Sequence, residues 1–136
     1  LAYLDSLSPE AKSYMAPLPI RFQQNENVAQ GFALMGLMGK NKKANAQQIA
    51  EAQAIKDATM AWRIAQHLQG KFIHFNGNFH TDSRDGIIPY LLQYKPGITY
   101  AVVRAVRQED ISHLEDDYKG IANYYICVPE DMITSY

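Results

Sequence analysis

Between Asn45 and Gly70, apolar residues recur at heptad spacing: Ala50, Ala54, Ala61, Ile64 and Leu68 form one stripe, which Asp57 interrupts. No proline or glycine intervenes, so the spacing predicts a single long helix. Asn45 and Gln48 have the spacing of a capping box, and Gly70 suits the left-handed residue past a helix end. Three of the five apolar positions are alanine, which predicts close packing of this face against a neighbour.

Before this helix, Ser8-Pro9-Glu10-Ala11 reads as a helix start, with a hydroxyl cap and a proline whose missing N–H costs nothing there; Pro17 and Pro19 end it. Val28, Phe32, Met35 and Met38 predict a second helix from about Asn27 to Gly39, followed by the polar break Gly39-Lys40-Asn41-Lys42-Lys43. That basic cluster reads either as a solvated turn or as a seat for ligand carboxylates.

After Gly70 the periodicity changes. Phe72-Ile73-His74-Phe75 has the composition of a buried strand and stops at the turn formers Asn76-Gly77-Asn78. Gly86 to Leu92 predicts another helix, with Asp85 near its cap, Pro89 in its first turn and Pro96-Gly97 closing it. Thr99–Val103 and Tyr124–Val128 read as further strands. The order helix–strand–helix–strand implies an α/β fold: a short, largely parallel sheet flanked by helices, with a helical region over 1–44 and the α/β part over 45–136. Three strands are few for a sheet that must be covered on both faces, so the chain is expected to be part of a larger α/β domain. The open surface would then be covered by further sequence or by another chain, a homodimer included.

Composition narrows the partners. With 47% hydrophobic and 20% charged residues the chain is of globular type, and a net charge of −1 argues against a nucleic-acid partner. No apolar run approaches the roughly 20 residues of a transmembrane helix. The single cysteine, Cys127, excludes an internal disulfide and a multi-cysteine zinc site, and its apolar surroundings predict burial. Leu1 is not an initiator methionine and no signal segment follows it, so upstream sequence is expected to have been removed and localisation is not legible from this end.

Candidate chemistry gathers at Asn76-Gly77-Asn78-Phe79-His80. In open α/β sheets ligands bind beyond the carboxyl ends of strands, and this turn occupies that position after Phe72–Phe75. Asn78, His80 and Thr81 are the candidate ligand-binding residues, and the nearby helix start favours an anionic group. Asp57 is a fourth candidate. A carboxylate on a buried stripe must find partners, either backbone N–H groups of a neighbouring turn or a ligand or histidine at the site. His74 reads as a core or interface residue, and His67 and His113 as solvated. Four scattered histidines and one cysteine specify no metal site by spacing.

Asp57-Ala58-Thr59-Met60-Ala61 on a long helix, followed by Gly77-Asn78-Phe79-His80 and then Gly86-Ile87, resembles the C-terminal half of the ChaN-like haem-uptake family, within the Tiki/TraB/erythromycin-esterase-like superfamily. The opening from Tyr3-Leu4 to Leu18-Pro19 and the Met-rich stretch resemble the family's inserted helical region, so the similarity runs from about Leu1 to Val106. His80 matches the later of the superfamily's two Gly-x-x-His elements; the earlier one, with its acidic residue, has no counterpart here. The resemblance implies a bacterial cell-envelope protein, often a lipoprotein, that binds haem in iron uptake, with His80 as the metal-contacting residue. A non-enzyme is therefore favoured. Nine tyrosines and the helix with Phe32, Met35 and Met38 are compatible with haem, since tyrosinate ligates ferric haem. The alternatives are a divalent-metal-dependent hydrolase of the same superfamily and a non-catalytic interaction module.

Overall fold

The structure, a computed structural model, describes residues 2–22 and 46–133. The expected Asn27–Gly39 helix, the Lys40–Lys43 cluster and the Asn45 cap lie outside these residues.

Ser8 caps helix α1 (Pro9–Ser13) as the sequence leads one to expect, its Oγ accepting from the Ala11 N–H at 3.2 Å, with Pro9 at the first position. The long helix is α2 (Ala46–His67). Its stripe is buried at Ala54, Asp57, Ala61 and Ile64, with Ala58 beside them, whereas Ala50 and Leu68 are half-buried. Gly70 follows with φ +75°, the left-handed conformation that glycine adopts without steric cost. The alanines allow α2 to lie close to the chain at Ala16, whose N–H donates to Thr59 Oγ1 at 3.2 Å, and to α3 (Ile87–Tyr94). Ala16, Ile20, Ala54, Ala58, Ala61, Ile64, Ile87, Tyr90 and Leu91 form the main core. Trp62 meets Tyr94 edge to face with ring centroids 5.4 Å apart, and Tyr90 Oη donates to the Arg21 carbonyl at 2.9 Å.

The sheet has two parallel strands, β1 (Val103–Gln108) and β2 (Tyr124–Pro129), in register Val103↔Tyr124 through Gln108↔Pro129. The fold is thus a small α/β fold. Ile88, Val102 and Ala122 form a second cluster between α3 and the strands. Parallel strands need a long crossover, supplied by residues 109–123. Gln108, fully buried, holds the start of that crossover: its Nε2 donates to the carbonyls of Asp110 and His113, and its Oε1 accepts from the Glu115 N–H at 3.5 Å. Gln108→Ala is expected to cost about 1–3 kcal/mol through the backbone groups it leaves unsatisfied, read as a shift in a urea melt.

Three expectations change. The predicted Thr99–Val103 strand begins only at Val103, because pairing with Tyr124 fixes where the ladder starts. Cys127 is half-buried rather than buried. Phe72–Phe75 is not a strand: among the described residues its backbone joins no ladder, and Phe72 and His74 line a small cleft with Thr59, Met60, Arg63, Ile64 and His67 of α2. Phe72 and His74 project to the α2 side, while Ile73 and Phe75 are 79% and 90% exposed. The alternation is that of a strand without the hydrogen-bonded neighbour that would make it one.

Candidate functional site

The turn after Phe72–Phe75 is built from backbone bonds. The His80 N–H donates to the Gly77 carbonyl and the Thr81 N–H to the Asn78 carbonyl, both at 3.0 Å, closing the 3-10 turn Asn78–His80. Asn76 Nδ2 donates to Thr81 Oγ1 at 3.2 Å and ties the two ends together. Beyond it, Ser83 and Arg84 adopt φ of 54° and 64°, a left-handed pair uncommon for non-glycine residues, held by the Ser83 N–H donating to the Ile121 carbonyl at 3.0 Å. The chain then doubles back so closely that a Cβ on Gly86 would lie 2.3 Å from the His80 carbonyl oxygen. Only glycine allows that approach, so Gly86 sets the position of His80 from the start of α3.

His80 Nδ1 meets Asp57 Oδ1 at 2.5 Å. An ionised carboxylate only accepts, so Nδ1 carries the hydrogen, and in the neutral imidazole Nε2 is the nitrogen that keeps its lone pair. The Asp57 side chain is 2% exposed and that of His80 20%. Burial pushes the Asp57 carboxyl above its ordinary value of 3.8, against which the hydrogen bond and charge of His80, then Lys56, pull it down. Of the two readings of Asp57, the geometry realises the contact with a histidine. A buried carboxylate on one imidazole nitrogen fixes the tautomer and ring orientation, the arrangement that supports a ligating histidine.

A cleft of about 430 Å³ opens beside the turn. Ile64, Leu68, Ile87, Ile88, Leu91 and Ile98 make its apolar wall, and Lys71, Phe72, His74, Asn76, Thr81 and Tyr100 also line it. Of the four sequence candidates, Thr81 lines this cleft, whereas Asp57, Asn78 and His80 do not; Asn78 is exposed on the turn. His74, expected in the core or at an interface, is instead largely exposed and lines both this cleft and a smaller one over Thr59, Met60, Arg63 and His67. Partial burial and the neighbouring His80 charge hold its imidazole below the ordinary value of 6.5. The signal for His74 was present in the alternation of Phe72–Phe75, which places it on the same side as Phe72; Gly86 carried no signal apart from its place in the family resemblance.

On the far side of the turn, Asp82 pairs with Arg104 on β1 at 3.3 Å, and Arg104 lies 5.1 Å over the Tyr118 ring. Burial raises the Asp82 carboxyl above its ordinary 3.8, with Arg104 opposing. His113 is exposed, 3.0 Å from Asp110.

The fold and site together define a small α/β protein that presents a carboxylate-supported imidazole beside an apolar cleft. The chain belongs to the family described as haem-binding uptake, Tiki superfamily, ChaN, whose model matches residues 1–91. The match contains Asp57, the whole turn and Gly86, and ends within α3, short of Val106. No curated protein and no solved structure matches the chain.

Proposed function

We propose that this protein binds haem and serves haem or iron uptake at the bacterial cell envelope, as a lipoprotein or other envelope-associated protein. The observation that carries the reading is the contact of the part-exposed His80 ring with the buried Asp57 carboxylate, on a turn whose neighbours Asn76 and Thr81 line an apolar cleft, inside the segment that matches the haem-binding family. In this reading His80 contacts the metal, Asp57 positions it, and Asn78 and Thr81 contribute polar contacts at the turn.

The residues present fit such a ligand. Its volume puts the cleft within the roughly 300–1,000 Å³ typical of small-molecule sites, its walls are aliphatic and aromatic, and Lys71 supplies a cation for a carboxylate. Among the described residues no three His, Cys, Asp or Glu side chains converge. A bare catalytic cation takes about three protein ligands, whereas a porphyrin supplies four nitrogens of its own and asks the protein for one or two. That difference favours haem over the hydrolase alternative. No helix among the described residues is long and apolar enough to cross a membrane, which is compatible with attachment by other means.

Titration with ferric haem tests the reading. A saturable Soret shift is expected, with His80→Ala weakening binding at temperatures where the variant remains folded. Absence of saturable binding to the intact protein would overturn it.

A further inference from the structure

The backbone that follows His80 is unfavourable on its own terms. Ser83 and Arg84 adopt φ of 54° and 64° in succession, and neither is glycine. Such a pair persists only where surrounding contacts over-determine it, and strain of this kind gathers at ligand clamps. The contacts come from β1 and its crossover. The Ser83 N–H donates to the Ile121 carbonyl at 3.0 Å, and the Asp82 carboxylate pairs with Arg104 at 3.3 Å. The two charged side chains are only 11% and 16% exposed, so each relies on the other more than on water. Arg104 is itself held in place: its guanidinium lies 5.1 Å over the Tyr118 ring, and the Tyr118 hydroxyl donates to the Arg107 carbonyl at 3.5 Å. Arg104 Nε is buried without a hydrogen-bond partner among the described residues. The pair therefore adds little to stability; what it fixes is where Asp82 sits, two residues beyond His80.

We propose that Arg104 is a positioning residue for His80: through Asp82, β1 and its crossover set the direction in which the turn presents the imidazole. The inference deepens the haem reading above and rests on it for the ligand. Asp57 holds the ring from α2, while Arg104 holds the backbone that carries the ring. Asp82 lies inside residues 1–91, the segment that matches the family, and Arg104 lies outside it. The geometry of the site is then not a property of the matching segment alone.

The test uses the full chain with Asp82→Asn and Arg104→Met combined. Both charges go together, so no unpaired carboxylate stays buried, and a cooperative unfolding transition is expected to remain. In this variant the His80 imidazole resonances are expected to shift. Affinity for ferric haem is expected to fall about tenfold, the lower end of what losing a group that orients a metal-contacting histidine costs. Arg104→Lys keeps the charge opposite Asp82 but loses the planar group over Tyr118, and should move the same resonances by less. Gln108→Ala is the control: it loosens the start of the same crossover without touching the turn. It is expected to lower stability while leaving the His80 resonances and haem affinity unmoved, which separates positioning from general destabilisation. Unshifted His80 resonances in either folded variant, or equal changes in Gln108→Ala, overturn the assignment of Arg104. A wild type that binds no haem saturably overturns the haem reading instead, and the imidazole resonances still decide whether Arg104 positions His80.

Discussion

Gly86→Ala is expected to destabilise the protein by about 3 kcal/mol, the upper end of what forced overpacking costs. The added Cβ would sit 2.3 Å from the His80 carbonyl oxygen and 2.8 Å from its carbonyl carbon. Both are backbone atoms, and no side-chain rotation relieves the clash. Either the His80 turn or the start of α3 must move, and each movement pulls His80 from Asp57. Gly70→Ala is the control. Gly70 has φ +75° but open space around a Cβ, so its substitution is expected to cost only the left-handed conformation, about 1–2 kcal/mol. Chemical denaturation of the two variants separates a steric from a purely conformational requirement. In the Gly86 variant the His80 imidazole resonances should also shift, because the ring leaves its carboxylate. Equal losses at the two positions, or an unshifted His80, would refute a close approach at Gly86.

The parts of the fold that were legible in the sequence are those fixed by local chemistry. Ser8-Pro9 starts a helix because its own backbone geometry and hydroxyl suffice, and α2 follows from an unbroken apolar stripe of helix formers. Gly70 ends up left-handed for an equally local reason. The segment Phe72–Phe75 was not legible, because strand formation depends on a neighbour that supplies hydrogen bonds, and composition does not reveal whether one is present. For the same reason the first β strand begins at Val103 and not at Thr99: the register with Tyr124 decides it.

The site divides along the same line. Asp57 announced itself as a charge on an apolar face, which is costly without a partner, and the turn at Asn76–His80 announced itself by its residue types. Their meeting spans helix and turn, and sequence spacing alone left the partner of Asp57 open between backbone and histidine. Gly86 stayed hidden because its role is a tertiary contact with the His80 backbone, not a turn of its own. His74 was hidden by the expectation of a buried strand, which would have placed its ring in a core.

Asp57→Ala is expected to cost about 1–3 kcal/mol, since it removes a buried acceptor and leaves the imidazole hydrogen of His80 without a partner. Cavity formation adds little, because the flanking positions on the stripe are already alanine. His80→Ala alone is expected to do less to stability, as its ring is partly exposed, but it strands the Asp57 carboxylate at 1% exposure. A double-mutant cycle therefore carries the decisive number. The double variant should be less destabilised than the sum of the singles by at least about 1 kcal/mol, the coupling typical of residues in direct contact. Asp57→Asn refines the result: the amide retains an oxygen acceptor of the same reach but loses the negative charge beside the His80 ring. It should preserve most of the stability and still weaken ligand binding through His80. Additive losses in the cycle would show that the two side chains act independently, and Asp57 would then be a helix-locking carboxylate. Asp57→Asn with unchanged ligand affinity would remove the electronic role and leave Asp57 only as the group that aims the ring.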